Sequence, residues 1–116
     1  MSDQTQLSVA TEQHDKGVIL CPSGRVDGTN AGTLEGVIRD QLEGGQSVLV
    51  FDFSGLNYIS SAGLRVLLVA ARDTQSRGGK SVFCGLSKQI AEVFAVSGFD
   101  KILAVHSSRD EALGAI

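Results

Sequence analysis

The run Val48-Leu49-Val50-Phe51-Asp52-Phe53 constrains the fold of this chain more than any other segment, because it is almost continuously apolar and shorter than an ordinary helix. A strand of that kind has to be covered on both faces, the condition of a parallel strand inside an α/β sheet. Its flanks supply the cover. From about Asn30 to Glu43, Ala31, Leu34, Ile38 and Leu42 recur at spacings of three, four and four, the stripe of an amphipathic helix with Thr29 or Asn30 as cap. From Ser61 to about Ser76, Leu64, Leu67, Leu68 and Ala71 stand at i, i+3, i+4 and i+7. Leu67 and Leu68 of this second helix are therefore expected to face the sheet, with Arg65, Val69, Arg72 and Ser76 turned away from it. Gly44-Gly45 and Gly78-Gly79 break the two helices.

The remaining segments extend the same alternation. Leu7 to Thr11 and Val18 to Cys21 flank the turn-like His14-Asp15-Lys16-Gly17 and read as a β-hairpin. Pro22 lacks a backbone donor and belongs at an edge, a bulge or the strand end, before a loop that carries Asp27. Gly32 and Gly36 lie off the apolar stripe of the first helix, each costing it about 1 kcal/mol against alanine, and are expected to be exposed. Ser54 to Ser60 reads as a connection. Ser81-Val82-Phe83-Cys84 forms a strand, Ser87 caps a short helix with Ile90, Val93 and Phe94 inward, and a brief strand spans about Ile102 to Val105. Ser108 and Glu111 have capping-box spacing at the start of a last helix, which is expected to bury Leu113 and Ile116. The order β-β-α-β-α-β-α-β-α defines an α/β fold: a mixed, mostly parallel sheet of about five strands with about four helices. A chain of 116 residues makes one domain, with an ordered core expected from about residue 6 to the end.

Charge and composition exclude several functions. Ten basic against thirteen acidic residues give a net charge of −3, and the Lys and Arg are scattered singly, which argues against direct nucleic-acid binding. The polar start, Met1 to Gln6, has no signal-peptide pattern, and the longest apolar stretch, Val66 to Ala71, is too short for membrane insertion. Cys21 and Cys84, far apart within strand-like runs, read as buried thiols of a cytoplasmic protein, not a disulfide or metal site. Gly79-Lys80-Ser81 has the end of a phosphate-binding loop but Thr74 where its first glycine belongs, and it leads into a strand. Ser61 has Ile59 where a hydrolase nucleophile would have glycine, and His14 and His106 stand alone. No catalytic residue, metal ligand or cofactor site emerges.

The informative segment runs from Asp52 through Asn57-Tyr58-Ile59-Ser60-Ser61-Ala62-Gly63-Leu64-Arg65, from a buried strand to a helix N-terminus. Two adjacent serines stand there. Unpaired N–H groups and the helix dipole favour a serine cap at such a place and equally accommodate a phosphate, so both readings are open on physical grounds.

This segment resembles the signature of STAS domains that act as anti-sigma factor antagonists, in which Asp-Leu-Ser ends a strand and Asp-Ser-Ser/Thr/Ala-Gly-Leu/Ile opens a helix. Asp52-Phe53-Ser54, Tyr58-Ile59 and Ser61-Ala62-Gly63-Leu64 match it, Gly24-Arg25-Val26-Asp27 is similar to the family's Gly-Glu-Leu-Asp, and Gly98-Phe99 follows the third helix as in the family. The phosphoacceptor of the resemblance falls on Ser61. Ser60 replaces the acidic residue that often precedes it, and is the secondary candidate for modification and the expected cap.

The resemblance implies a binding protein and not an enzyme. Its unphosphorylated form would bind an anti-sigma factor with serine kinase activity and so release a sigma factor, phosphorylation of Ser61 would end that binding, and a serine/threonine-type phosphatase would reset it. The implied contact residues are Asp27, Ser60, Ser61, Ala62, Gly63, Arg65 and Val69, with Asp27 readable also as a turn residue. The alternative is a STAS scaffold or accessory module of a transporter or signalling complex without a phosphorylation cycle. A small-ligand binder or enzyme on a flavodoxin-like fold is a third.

Overall fold

A computed structural model describes residues 7–116; Met1 to Gln6, and with them the expected start of the core at residue 6, lie outside the described residues. Strands β1 (Leu7–His14) and β2 (Gly17–Val26) form the antiparallel hairpin, paired from Leu7↔Gly24 to His14↔Gly17. Helix α1 (Ala31–Glu43) buries Ala31, Leu34, Ile38 and Leu42, the four residues of its sequence stripe, and Asn30 is its N-cap residue. Gly32 is exposed, while Gly36 is half-buried with open space around it.

Strand β3 (Val48–Asp52) runs parallel to β2 through Val18↔Leu49, Ile19↔Val50 and Leu20↔Phe51. The segment read from sequence as a connection is instead a strand, β4 (Gly55–Ile59), so the sheet has six strands and not about five. β4 also pairs with β2 in parallel, from Ser23↔Gly55 to Val26↔Ile59, with a register shift between Gly24 and Arg25 that leaves Asn57 as the extra residue. One long strand thus serves two short ones in succession. Pro22 lies inside β2, between its pairings with β3 and β4, where no parallel partner asks for its missing N–H.

Helix α2 (Ser61–Ser76), strand β5 (Lys80–Cys84), helix α3 (Lys88–Ser97), a 3₁₀ turn (Phe99–Lys101), strand β6 (Ala104–Val105) and helix α4 (Arg109–Gly114) complete the chain. The sheet order is β1-β2-β3-β5-β6, with β4 beside β2. α3 begins at Ser87, whose hydroxyl accepts from the Ile90 amide at 3.2 Å, and ends at Gly98 with a left-handed φ of 81°.

One face of the sheet carries α1, α2 and α3 over the main core, where Phe51 stacks on Phe83 at 4.8 Å and Phe94 meets Phe83 edge-on at 6.3 Å. The other face, Ile19, Val50, Val82 and Cys84, is covered by α4 through buried Ala112. Leu113 and Ile116, expected to be buried, are half-buried at the border of that cluster.

α2 is rotated from the face the sequence implies. Its buried residues are Gly63, Leu64, Val66, Leu67, Ala70 and Thr74, whereas Leu68 and Ala71 are half-buried and Leu68 stays outside the core. The cause is double packing: Val66 and Ala70 turn towards Ile38 and Leu42 of α1 while Leu67 meets the sheet. Thr74 fixes the turn, its buried hydroxyl lying 2.9 Å from that of Ser81 on β5.

Candidate functional site

The start of α2 is built by β4. Beyond Ile59 the Ser60 amide donates to the Val26 carbonyl at 2.9 Å, extending the β2–β4 pairing by one residue. Ser60 is extended (φ −89°, ψ 174°), and its hydroxyl accepts from the Gly63 amide at 3.3 Å, the geometry of an N-cap. Ser61 follows as the first helical residue. It is exposed, and no group among the described residues hydrogen-bonds its hydroxyl. One serine is engaged in capping and the other presents its hydroxyl outward.

Gly63 holds the helix close to the sheet. A Cβ there would stand 2.7 Å from Cγ1 of both Ile59 and Val26, both of them buried. Gly63, one of the expected contact residues, is itself buried. Ser61, half-buried Ala62 and exposed Arg65 line one shallow depression. Arg65 stands one turn beyond Ser61, within reach of a charge placed on it. Val69, 39% exposed, is not part of this group; it lies in the cleft between α1 and α2.

Asp27 forms the turn that leads into α1. Its carboxylate accepts from the Thr29 hydroxyl at 2.6 Å and the Thr29 amide at 2.9 Å, while its carbonyl accepts from the Ala31 amide at 2.9 Å. The Thr29 hydroxyl, with the Thr29 amide, holds this carboxyl below its usual range. The Ser60–Val26 bond brings the residue that precedes Asp27 against the start of α2. Arg25 packs over the ring of Tyr58, 4.2 Å from its centroid.

A second polar cluster lies at the α4 side of the sheet. Arg109, the first residue of α4, donates from Nε to Asp52 at 2.9 Å and pairs with both oxygens of Glu12 at 3.0 and 3.2 Å. Asp52 also accepts from the hydroxyl and amide of Ser54. Burial pushes the Asp52 carboxyl up, but Ser54 and Arg109 outweigh it and leave it below the usual range; Arg109 likewise lowers Glu12. Cys21 is half-buried against Arg109, contrary to the buried thiol expected, and Cys84 is buried with its thiol pushed up to about 11. Burial raises the Cys21 thiol too, so neither is poised as a nucleophile. The Asp52 cluster and the Tyr58 surface were missed in the sequence, which places their members far apart.

The family described as the STAS domain matches residues 8–112 of this chain. BtrV of Bordetella bronchiseptica, named as an anti-sigma factor antagonist, is 38% identical over 109 residues, 94% of each chain. The chain belongs to the STAS family of anti-sigma factor antagonists. RsfB of Mycobacterium tuberculosis, named as an anti-sigma-F factor antagonist, is 26% identical over 116 residues, covering 97% of this STAS protein and 92% of RsfB. The crystal structure of an anti-sigma factor antagonist from Mycobacterium paratuberculosis has a TM-score of 0.89 at 23% identity, over 100% and 98% of the two chains. The unphosphorylated form of the antagonist SpoIIAA has a TM-score of 0.77 at 18% identity, over 91% and 93%. These structures share the fold of this chain. No helix among the described residues is long and apolar enough to cross a membrane.

Proposed function

We propose that this protein is a phosphorylation-switched antagonist whose unphosphorylated form binds an anti-sigma factor with serine kinase activity and so releases a sigma factor. The observation that carries the reading is the division of labour between the serines: Ser60 caps α2, and Ser61 offers an exposed, unbonded hydroxyl one residue on. In the switching step the Ser61 oxygen attacks the γ-phosphorus of ATP held with Mg²⁺ by the kinase. The new O–P bond replaces the bond to the bridging oxygen, ADP leaves, and the hydroxyl proton passes to a base of the kinase.

Phosphate adds a charge of about −1.5 to −2 and three acceptor oxygens. In the free domain that charge sits at the positive end of a sixteen-residue helix, one turn from Arg65, and in water. In the complex it would have to shed water at the centre of the contact, where an uncompensated charge is costly. Binding therefore fails in one state while the fold tolerates both. A serine/threonine-type phosphatase restores the hydroxyl. The likeness to BtrV along nearly the whole chain supports this reading over that of a transporter-associated scaffold.

The test is incubation with recombinant serine-kinase anti-sigma factors of the same genome and ATP, followed by site mapping by mass spectrometry. Phosphate on Ser61 is expected. Phosphate on Ser60 alone, or on neither serine with every such kinase, contradicts the proposal.

A further inference from the structure

Four of the six arginines of the chain are engaged. Arg25 lies over the Tyr58 ring, Arg39 pairs with Glu35 at 3.7 Å, Arg77 donates to the Leu42 carbonyl at 3.3 Å, and Arg109 holds Asp52 and Glu12. Arg65 and Arg72, both exposed on α2, make no ion pair or hydrogen bond with any of the described residues. The helix itself offers them no partner. The residues three and four positions to either side are Ser61, Ala62, Leu68, Val69, Gln75 and Ser76, none of them acidic.

Of the two, only Arg65 is within reach of Ser61. It stands four residues on, on the same side of the helix, and with Ser61 and Ala62 it borders a depression of about 270 Å³ that is open to solvent. Arg72 lies about 16 Å along the helix axis from Ser61, which is too far. The order is the favourable one, an anion at i and a cation at i+4, and α2 has no acidic residue in its first turn to take the anion's place. From the end of β2 the neighbouring charged groups are Asp27, whose carboxylate is held by Thr29, and Arg25, held on Tyr58. Both are committed, and Arg65 is not.

We propose that Arg65 is the positioning residue for a phosphate on Ser61, its guanidinium folding back across the depression to pair with the phosphate oxygens, an inference that rests on the phosphorylation proposed above. The pair favours the dianion over the monoanion, so the phosphate carries its full charge at neutral pH. It also lays the Arg65 side chain across the start of the helix. Phosphorylation then alters the surface twice, by adding an anion and by withdrawing the free cation beside it.

The experiment uses the full chain with phosphoserine genetically encoded at position 61, and follows the phosphate resonance by phosphorus NMR as pH is varied through its second pKa, ordinarily about 6. Wild type should titrate lower than Arg65→Gln by about 0.3 pH unit or more, with Arg65→Lys in between, and the difference should shrink in about 1 M salt. Thermal melts give a companion reading. Without phosphate, Arg65→Gln should melt as wild type, because Arg65 is exposed and unpaired there. The change in melting temperature on phosphorylation should be more favourable in wild type than in Arg65→Gln. Equal titration of wild type, Arg65→Gln and Arg65→Lys overturns the pairing. Because the phosphoserine is encoded and needs no kinase, the two inferences fail separately. The shift observed with no kinase modifying Ser61 supports the pairing and overturns the switch, whereas no shift with Ser61 phosphorylated by a kinase overturns the pairing and leaves the switch standing.

Discussion

Replacing Gly63 by alanine adds one methyl group at the seam that sets the height of α2 above the sheet. Its Cβ would lie 2.7 Å from Cγ1 of Val26 and of Ile59, and 3.2 Å from Cδ1 of Ile59. Ordinary carbon contacts lie at about 3.5–4.0 Å, so roughly 1 Å has to be found. Neither neighbour yields easily, because both are β-branched and at most 3% exposed. Overpacking of this kind costs about 1–3 kcal/mol, against a helix-propensity gain of at most about 1 kcal/mol. A net loss of up to about 2 kcal/mol is expected. Gly32, with nothing within 4 Å of its Cβ direction, is the control: there alanine should stabilise by up to about 1 kcal/mol. Urea denaturation followed by far-UV circular dichroism gives both values. Equal stabilisation by the two substitutions would refute the close packing of α2 on β2 and β4.

On α2, Leu67→Ala should lose about 2–5 kcal/mol of stability and Leu68→Ala well under that, since only Leu67 is fully buried; equal losses in chemical denaturation would contradict the rotation of the helix. Ser60→Ala should lose about 0.5–2 kcal/mol with its cap, whereas Ser61→Ala should melt as wild type. Arg109→Met should remove an acid-sensitive part of the stability. The carboxyls of Asp52 and Glu12 lie below their ordinary values of 3.8 and 4.5, so their contribution is complete above those values and lost as pH falls through the lower folded ones. The gap between wild type and variant in urea midpoint should therefore narrow from neutral pH to about pH 3, and a gap that widens on acidification contradicts the ion cluster.

Where the apolar period was intact, the sequence carried the fold. The stripe Ala31, Leu34, Ile38, Leu42 is the buried face of α1 without exception, and the caps Ser87 and Ser108 stand where their spacing put them. β4 was illegible because the shift at Asn57 breaks the two-residue alternation, leaving buried Leu56 and Ile59 three apart. The rotation of α2 follows from its contact with α1, which no periodicity within α2 encodes. Ser60 and Ser61 were visible as a pair with Ser60 the expected cap, and the Ser60–Gly63 bond bears that out. The Asp52–Arg109–Glu12 cluster joins residues 57 and 97 positions apart, beyond any local signal.

The central claim is that one hydroxyl, Ser61, decides whether the partner binds. Titration calorimetry of the unmodified, authentically Ser61-phosphorylated, Ser61→Ala and Ser61→Asp proteins against the serine-kinase anti-sigma factor tests it most directly. The unmodified protein and Ser61→Ala should bind alike, and the phosphoprotein about a hundredfold more weakly, equivalent to about 2.8 kcal/mol. Ser61→Asp, with a single charge and two oxygens, should fall between them. Equal affinity across all four would contradict the switch and leave Ser61 an ordinary residue at the start of a helix.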